Sequence, residues 1–85
     1  MYLEIITPTD QLFSGEVSLI KLPGSKGSFE ILKDHAPIVS SLEEGTIKIV
    51  DKLKQTLFYN ITGGVVECRT NKIIVLADSG EAAQN

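Results

Sequence analysis

Eighty-five residues, 42% hydrophobic and 22% charged, make one globular domain and exclude disorder, collagen-like repeats and low complexity. A net charge of −3 with eight scattered basic residues leaves no cationic stripe to neutralise phosphates, which argues against a nucleic-acid partner. The longest unbroken apolar run, Ile73-Ile74-Val75-Leu76-Ala77, falls far short of the ~20 residues that span a bilayer.

The N-terminal Met1-Tyr2-Leu3-Glu4 has no basic region before its first apolar residues, unlike a secretory signal peptide. From there the chain enters strand-like patterning. Residues 2 to 7 carry Tyr2, Leu3, Ile5, Ile6 and Thr7 and stop at Pro8-Thr9-Asp10, a strand running into a turn. Residues 16 to 22, framed by Gly15 and Pro23-Gly24, form a second strand whose apolar content suggests burial on both faces. Gly24-Ser25-Lys26-Gly27-Ser28 is a polar turn. Two short apolar pieces follow, Phe29 to Leu32 and Ile38 to Leu42, on either side of Asp34-His35-Ala36-Pro37.

Gly45 opens the clearest element, a hairpin. Ile47 and Ile49 alternate with Lys48 and Val50, Leu57, Tyr59 and Ile61 alternate with Phe58, Asn60 and Thr62, and residues 51 to 55 join them. Gly63-Gly64 interrupts, Val65 to Arg69 resumes, Thr70-Asn71 turns, and Lys72 to Ala77 is a last apolar strand. Eight or nine short strands at this spacing, with no long helical period, read as an all-β sandwich or flattened barrel over residues 1–78. At Asp78-Ser79-Gly80-Glu81 the acid followed three residues later by Glu, ahead of Ala82-Ala83, has the form of a capping box. Residues 79–85 are therefore expected as the stub of a helix, too short to hold alone and frayed.

Side chains able to do chemistry are sparse. His35 has no nucleophile at a spacing that suggests a triad, so it is expected to bond within its turn or at a subunit contact. His35 and Cys68 fall short of a zinc site, and Cys68 has no cysteine partner for a disulfide, which favours a reducing, cytosolic setting. Gly24 to Ser28 lacks the spacing of a phosphate-binding loop and the helix that follows one. Glu43-Glu44 is expected to be solvated in a loop. No catalytic residue, metal or cofactor is expected. A rival reading attaches to Asp51-Lys52: lipoyl carrier domains display their modified lysine at a hairpin tip, and Lys52 would be that residue. Leu53 stands where such domains usually have alanine, and the loop is longer and more polar than a two-residue display.

A series of motifs in one order spans most of the chain: Phe13-Ser14-Gly15-Glu16-Val17, Pro23 to Phe29, Ile31-Leu32, His35-Ala36-Pro37-Ile38, Leu42-Glu43-Glu44-Gly45, Gly63-Gly64-Val65-Val66-Glu67 and Val75-Leu76-Ala77-Asp78. Together they resemble the N-terminal domain of the ATP synthase epsilon subunit. The resemblance implies a flattened sandwich of two antiparallel five-stranded sheets, about ten short strands, at the foot of the central stalk. It implies a non-catalytic rotor subunit on the cytoplasmic face of the membrane, which couples the gamma subunit to the c-ring of a proton-translocating enzyme. On that reading Ser25, Ser28, Phe29 and Glu30 face the polar loops of the ring, and His35, Ala36, Pro37 and Ile38 face gamma or its junction with the ring.

Two positions depart from the family pattern, Glu30 where glycine is usual and Lys33 where proline is common, so the loop before His35 should differ in detail. Family members commonly continue into a helical hairpin that restrains ATP hydrolysis. The sequence stops at Asn85, just past the expected helix start, either as a natural end or as a cut before the hairpin; if the end is natural, the resemblance implies that inhibition is absent.

Overall fold

A computed structural model describes residues 1–83, and among them nine strands form: β1 (Tyr2–Ile6), β2 (Gln11–Leu22), β3 (Phe29–Leu32), β4 (Ile38–Leu42), β5 (Gly45–Asp51), β6 (Thr56–Ile61), β7 (Gly64–Arg69), β8 (Lys72–Ala77) and β9 (Gly80–Ala83). Period-two alternation chooses what each strand buries. Leu3 and Ile5 of β1, Ile47 and Ile49 of β5, Val66 and Cys68 of β7, and Ile73 and Val75 of β8 all lose their surface to the core.

The hydrogen-bonded order is β4-β7-β8-β1-β2-β5-β6-β9, with β3 also on β2. Strand β2 turns this ladder from one layer to the other. Its first half lies antiparallel to β1, with Ile5 opposite Phe13; its second half places Ile20 opposite both Ile49 of β5 and Ile31 of β3. Between the halves the register with β5 slips, and the Ser18 hydroxyl donates to the Val50 carbonyl at 3.2 Å. A bulge bends its strand and increases local twist, so the second half leaves the plane of the first. Leu3, Ile5, Val66, Ile73 and Val75 from the β1 side then meet Ile20, Leu22, Ile31, Ile47 and Ile49 from the β5 side in one core. Full burial of each such side chain is worth about 1.5–3 kcal/mol against exposure.

The all-β sandwich expectation is borne out, with three differences in detail. First, β2 begins at Gln11 rather than Glu16. Ser14 and Gly15 gave no strand signal of their own; pairing with Glu4 and Leu3 extends them. Second, β1 and β8 run parallel, with Leu3 opposite Ile73 and Ile5 opposite Val75, so the sheets are not wholly antiparallel. Those strands sit at opposite ends of the sequence, and no tight hairpin dictates their direction.

Third, the expected helix start is a strand. Residues Gly80–Ala83 pair antiparallel with Ile61–Phe58. The Asp78 N–H donates to the Gly63 carbonyl at 2.9 Å, the Thr62 N–H donates to the Ser79 carbonyl at 3.1 Å, and the Thr62 and Ser79 hydroxyls meet at 2.8 Å. These bonds align residues 78 and 79 with the open edge of β6 before any helical turn can close, so a non-local ladder outweighs a local capping signal. Gly80 makes the approach possible, because a Cβ there would lie 2.8 Å from the Asn60 carbonyl oxygen. The last two positions of the expected stub, 84 and 85, lie outside the described residues.

Candidate functional site

The segment from Pro23 to Leu42 arches from the β2 layer to the β7 layer. The Gly27 N–H donates back to the Gly24 carbonyl at 3.0 Å, which closes the turn after β2. A clasp then ties this turn to the end of β4: the Ser25 N–H donates to the Ser41 carbonyl at 3.1 Å, the Glu43 N–H donates to the Pro23 carbonyl at 2.9 Å, and the Ser25 and Ser41 hydroxyls meet at 2.9 Å. Strand β3 returns along β2 with Ile31 buried and Glu30 opposite Lys21. Beyond it the His35 N–H donates to the Leu32 carbonyl at 3.1 Å, with Asp34 at a φ of 65°. The His35 ring turns on its own loop, where Nδ1 as an N–H donates to the Ala36 carbonyl at 2.7 Å.

Of the ring- and gamma-facing residues expected from the sequence, the structure brings Ser25, Phe29 and Ile38 together on a groove of about 350 Å³ along β4. Phe29 and Ile38 are half-buried and pack on the core behind it. Ser28 and Glu30 are exposed and do not line the groove, and His35, Ala36 and Pro37 form an exposed loop at the other end of β3.

Two further features are visible in the folded chain. Val39 in β4 is 74% exposed. On the outer face of the β1–β8–β7 layer, Ile6, Leu76 and Val65 stand opposite one another across three strands, with Leu76 52% and Val65 44% exposed. A shallow depression of about 560 Å³ runs along this row to Pro8 and Leu42. The signal was present in Ile73 to Ala77 and Val65-Val66: in strands with alternate residues in the core, unbroken apolar runs must put some apolar side chains outside.

The remaining chemistry is quiet. Among the described residues no group of three or more His, Cys, Asp or Glu side chains is placed to hold a metal ion. The one ion pair among them, Arg69 to Glu67 at 2.8 Å, is solvent-exposed and of the kind that contributes little. Burial pushes the Cys68 thiol up from its ordinary range. At the β5–β6 tip, the Asp51 carboxylate accepts the Leu53 and Gln55 N–H groups, each at 2.9 Å, and Lys54 sits at a φ of 64°. Asp51 thus folds the loop beneath the exposed Lys52. No helix among the described residues is long and apolar enough to cross a membrane.

Sequence comparison decides the family. Residues 1–83 match the ATP synthase delta/epsilon chain β-sandwich domain. The chain belongs to this family. The ATP synthase epsilon chain of Pelotomaculum thermopropionicum is 42% identical over 82 residues, which cover 96% of this chain and 60% of that protein. The epsilon chain of Campylobacter curvus is 42% identical over 78 residues, covering 92% and 60%. The chain therefore spans about 60% of the length of these relatives. The fold is similar to a chain of the Euglena gracilis mitochondrial ATP synthase resolved with OSCP, F1 and c-ring, at a TM-score of 0.88 and 18% identity, covering 94% of this chain and 51% of that one. It is also similar to a chain of the Tetrahymena thermophila mitochondrial ATP synthase central stalk and c-ring, at a TM-score of 0.77 and 21% identity, covering 94% and 64%. Membership of the delta/epsilon family bears out the resemblance read from the motif series and leaves the lipoyl-carrier reading of Lys52 without support.

Proposed function

We propose that this delta/epsilon-type sandwich is a non-catalytic part of the central stalk of a proton-translocating F-type ATP synthase, peripheral to the cytoplasmic face of the membrane, where it couples the gamma subunit to the c-ring. The observation that carries this reading is the in-register row Ile6–Leu76–Val65, an apolar stripe on the outside of a stiff layer. An exposed apolar patch of this kind marks a docking face. Gamma lies on that face. The turn and short strand with Ser25, Ser28, Phe29 and Glu30 meet the polar loops of the ring, and the loop from His35 to Ile38 meets gamma beside them. The strand-spanning ladder suits torque transmission, because each strand of the stripe is hydrogen-bonded on both sides and side chains on a packed core do not yield under lateral load.

The names of the relatives and the c-ring assemblies that contain the same fold support this assignment. Restraint of ATP hydrolysis belongs, by family resemblance, to a helical hairpin and not to the sandwich. Rotor membranes stripped of this subunit and reconstituted with the 85-residue chain test the proposal: proton-driven ATP synthesis should recover, and synthesis that stays at the stripped level overturns it.

A further inference from the structure

The outward side of β4 is bridged by Gly24 at Leu42 and bonded by Ser25 at Ser41, which leaves the sheet edge open at Val39. Its register with β7 places Ile38, Ser40 and Leu42 opposite Cys68, Val66 and Gly64, without a slip. Because the Ser41 carbonyl points away from β7 to receive the Ser25 N–H, the period of two turns the N–H and C=O of Val39 to that same open side. Among the described residues no turn or loop bond reaches Val39. Natural edges are usually blunted by charge, proline or a bulge. Strands β3 and β9 carry Glu30 and Glu81, whereas β4, Ile38-Val39-Ser40-Ser41-Leu42, has no charge, no proline and no bulge.

We propose that this edge is a strand-acceptor site, which takes up a short extended segment of the gamma subunit through the backbone of Val39. The identity of that partner rests on the function proposed above, and the acceptor geometry does not. An incoming strand gains two main-chain bonds at Val39, and its side chains alternate between the outer face and the Ile38 side of the groove. Lys26 at the groove favours an acidic residue in the segment. Continuity points to gamma: the Val39 side chain emerges on the same outer face as Val65 and Leu76, so a subunit covering that stripe also reaches the edge. A second copy of this chain fits poorly, because Ser25 already occupies the edge at Ser41 in each copy and the two turns would flank the single free residue.

Amide hydrogen exchange on the 85-residue chain, alone and bound to gamma, tests the proposal. In the free chain Val39 should exchange fast while Ser40, paired with β7, is protected; in the complex Val39 should slow by roughly 100-fold or more. A complex in which Val39 keeps its free rate overturns the strand-acceptor site and leaves the docking proposal standing. Failure of gamma to bind at all overturns the docking reading and this occupant together. Slow exchange at Val39 in the free chain, with a concentration-dependent dimer in sedimentation, assigns the edge to a second copy and also overturns it. Val39→Pro removes the outward N–H without touching a β7 bond and should weaken gamma binding roughly tenfold, while Val39→Thr, which keeps the amide, should stay within about threefold. Should Val39→Pro misfold, the exchange rates of the unsubstituted chain decide.

Discussion

The Ser25 N–H donates to the Ser41 carbonyl at 3.1 Å, and the hydroxyls of the same two serines meet at 2.9 Å. This clasp closes the groove end of the arch, and its backbone bond carries most of the constraint, since both side chains are solvent-exposed. Ser25→Ala should therefore cost no more than about 0.5–1 kcal/mol in chemical denaturation. A loss of several kcal/mol would show that the hydroxyl pair, not the amide, holds the turn.

Gly64 is a position where only glycine fits. It has a φ of 149°, and a Cβ there would lie 2.2 Å from the Leu76 carbonyl oxygen on the neighbouring strand. Gly64→Ala must part β7 from β8 next to Val65, and should cost about 2–4 kcal/mol in urea unfolding. A fold of this length holds by only roughly 4–13 kcal/mol, so the variant should also unfold at clearly lower temperature. Unchanged stability would contradict the close approach of these strands.

Asp51 organises the β5–β6 tip through two N–H groups. Asp51→Ala should destabilise by about 1 kcal/mol, and Asp51→Asn, which keeps one acceptor oxygen, by less. Equal losses for the two would show that charge rather than hydrogen bonding sets the loop.

Phe13 and Tyr59 meet edge to face with ring centroids 6.1 Å apart. Burial pushes the Tyr59 hydroxyl above its ordinary pKa. In the unfolded chain this phenol ionises first, so the unfolded state binds fewer protons and stability must fall as pH rises past about 10. Tyr59→Phe should flatten that alkaline decline in thermal unfolding measured across pH. A decline of the same steepness in the variant would assign it to other groups.

The β5–β6 hairpin was legible because Ile47, Ile49, Leu57, Tyr59 and Ile61 alternate around a polar loop, a signal contained within the two strands. Strand β9 was not legible: its place is set by Gly63 and Thr62 seizing Asp78 and Ser79, bonds to a part of the chain that a local reading of Asp78 to Glu81 does not include. The same limit hid the first half of β2, whose strand state comes from β1. Within the site, Phe29 and Ile38 were identifiable as apolar residues beside turns. That they share one groove with Ser25 depends on β4 folding back to the β2–β3 turn, and the exposure of Val39 depends on β4 being an edge.

On the proposed function, the sandwich carries no brake on hydrolysis. The 85-residue chain added to its parent catalytic complex should leave ATP hydrolysis unchanged in a steady-state assay, and strong inhibition would place a brake within the β-sandwich itself.

On the proposed assignment, gamma docks on the Ile6–Leu76–Val65 stripe. Leu76→Glu and Val65→Glu place charge on the outer face while the core side of both strands is untouched, so circular dichroism should report an intact fold. Calorimetric titration of gamma with each variant reads the contact. Affinity should be lower by roughly 100-fold for each, as for a residue at the centre of an interface; wild-type affinity in both folded variants would rule out docking through the stripe.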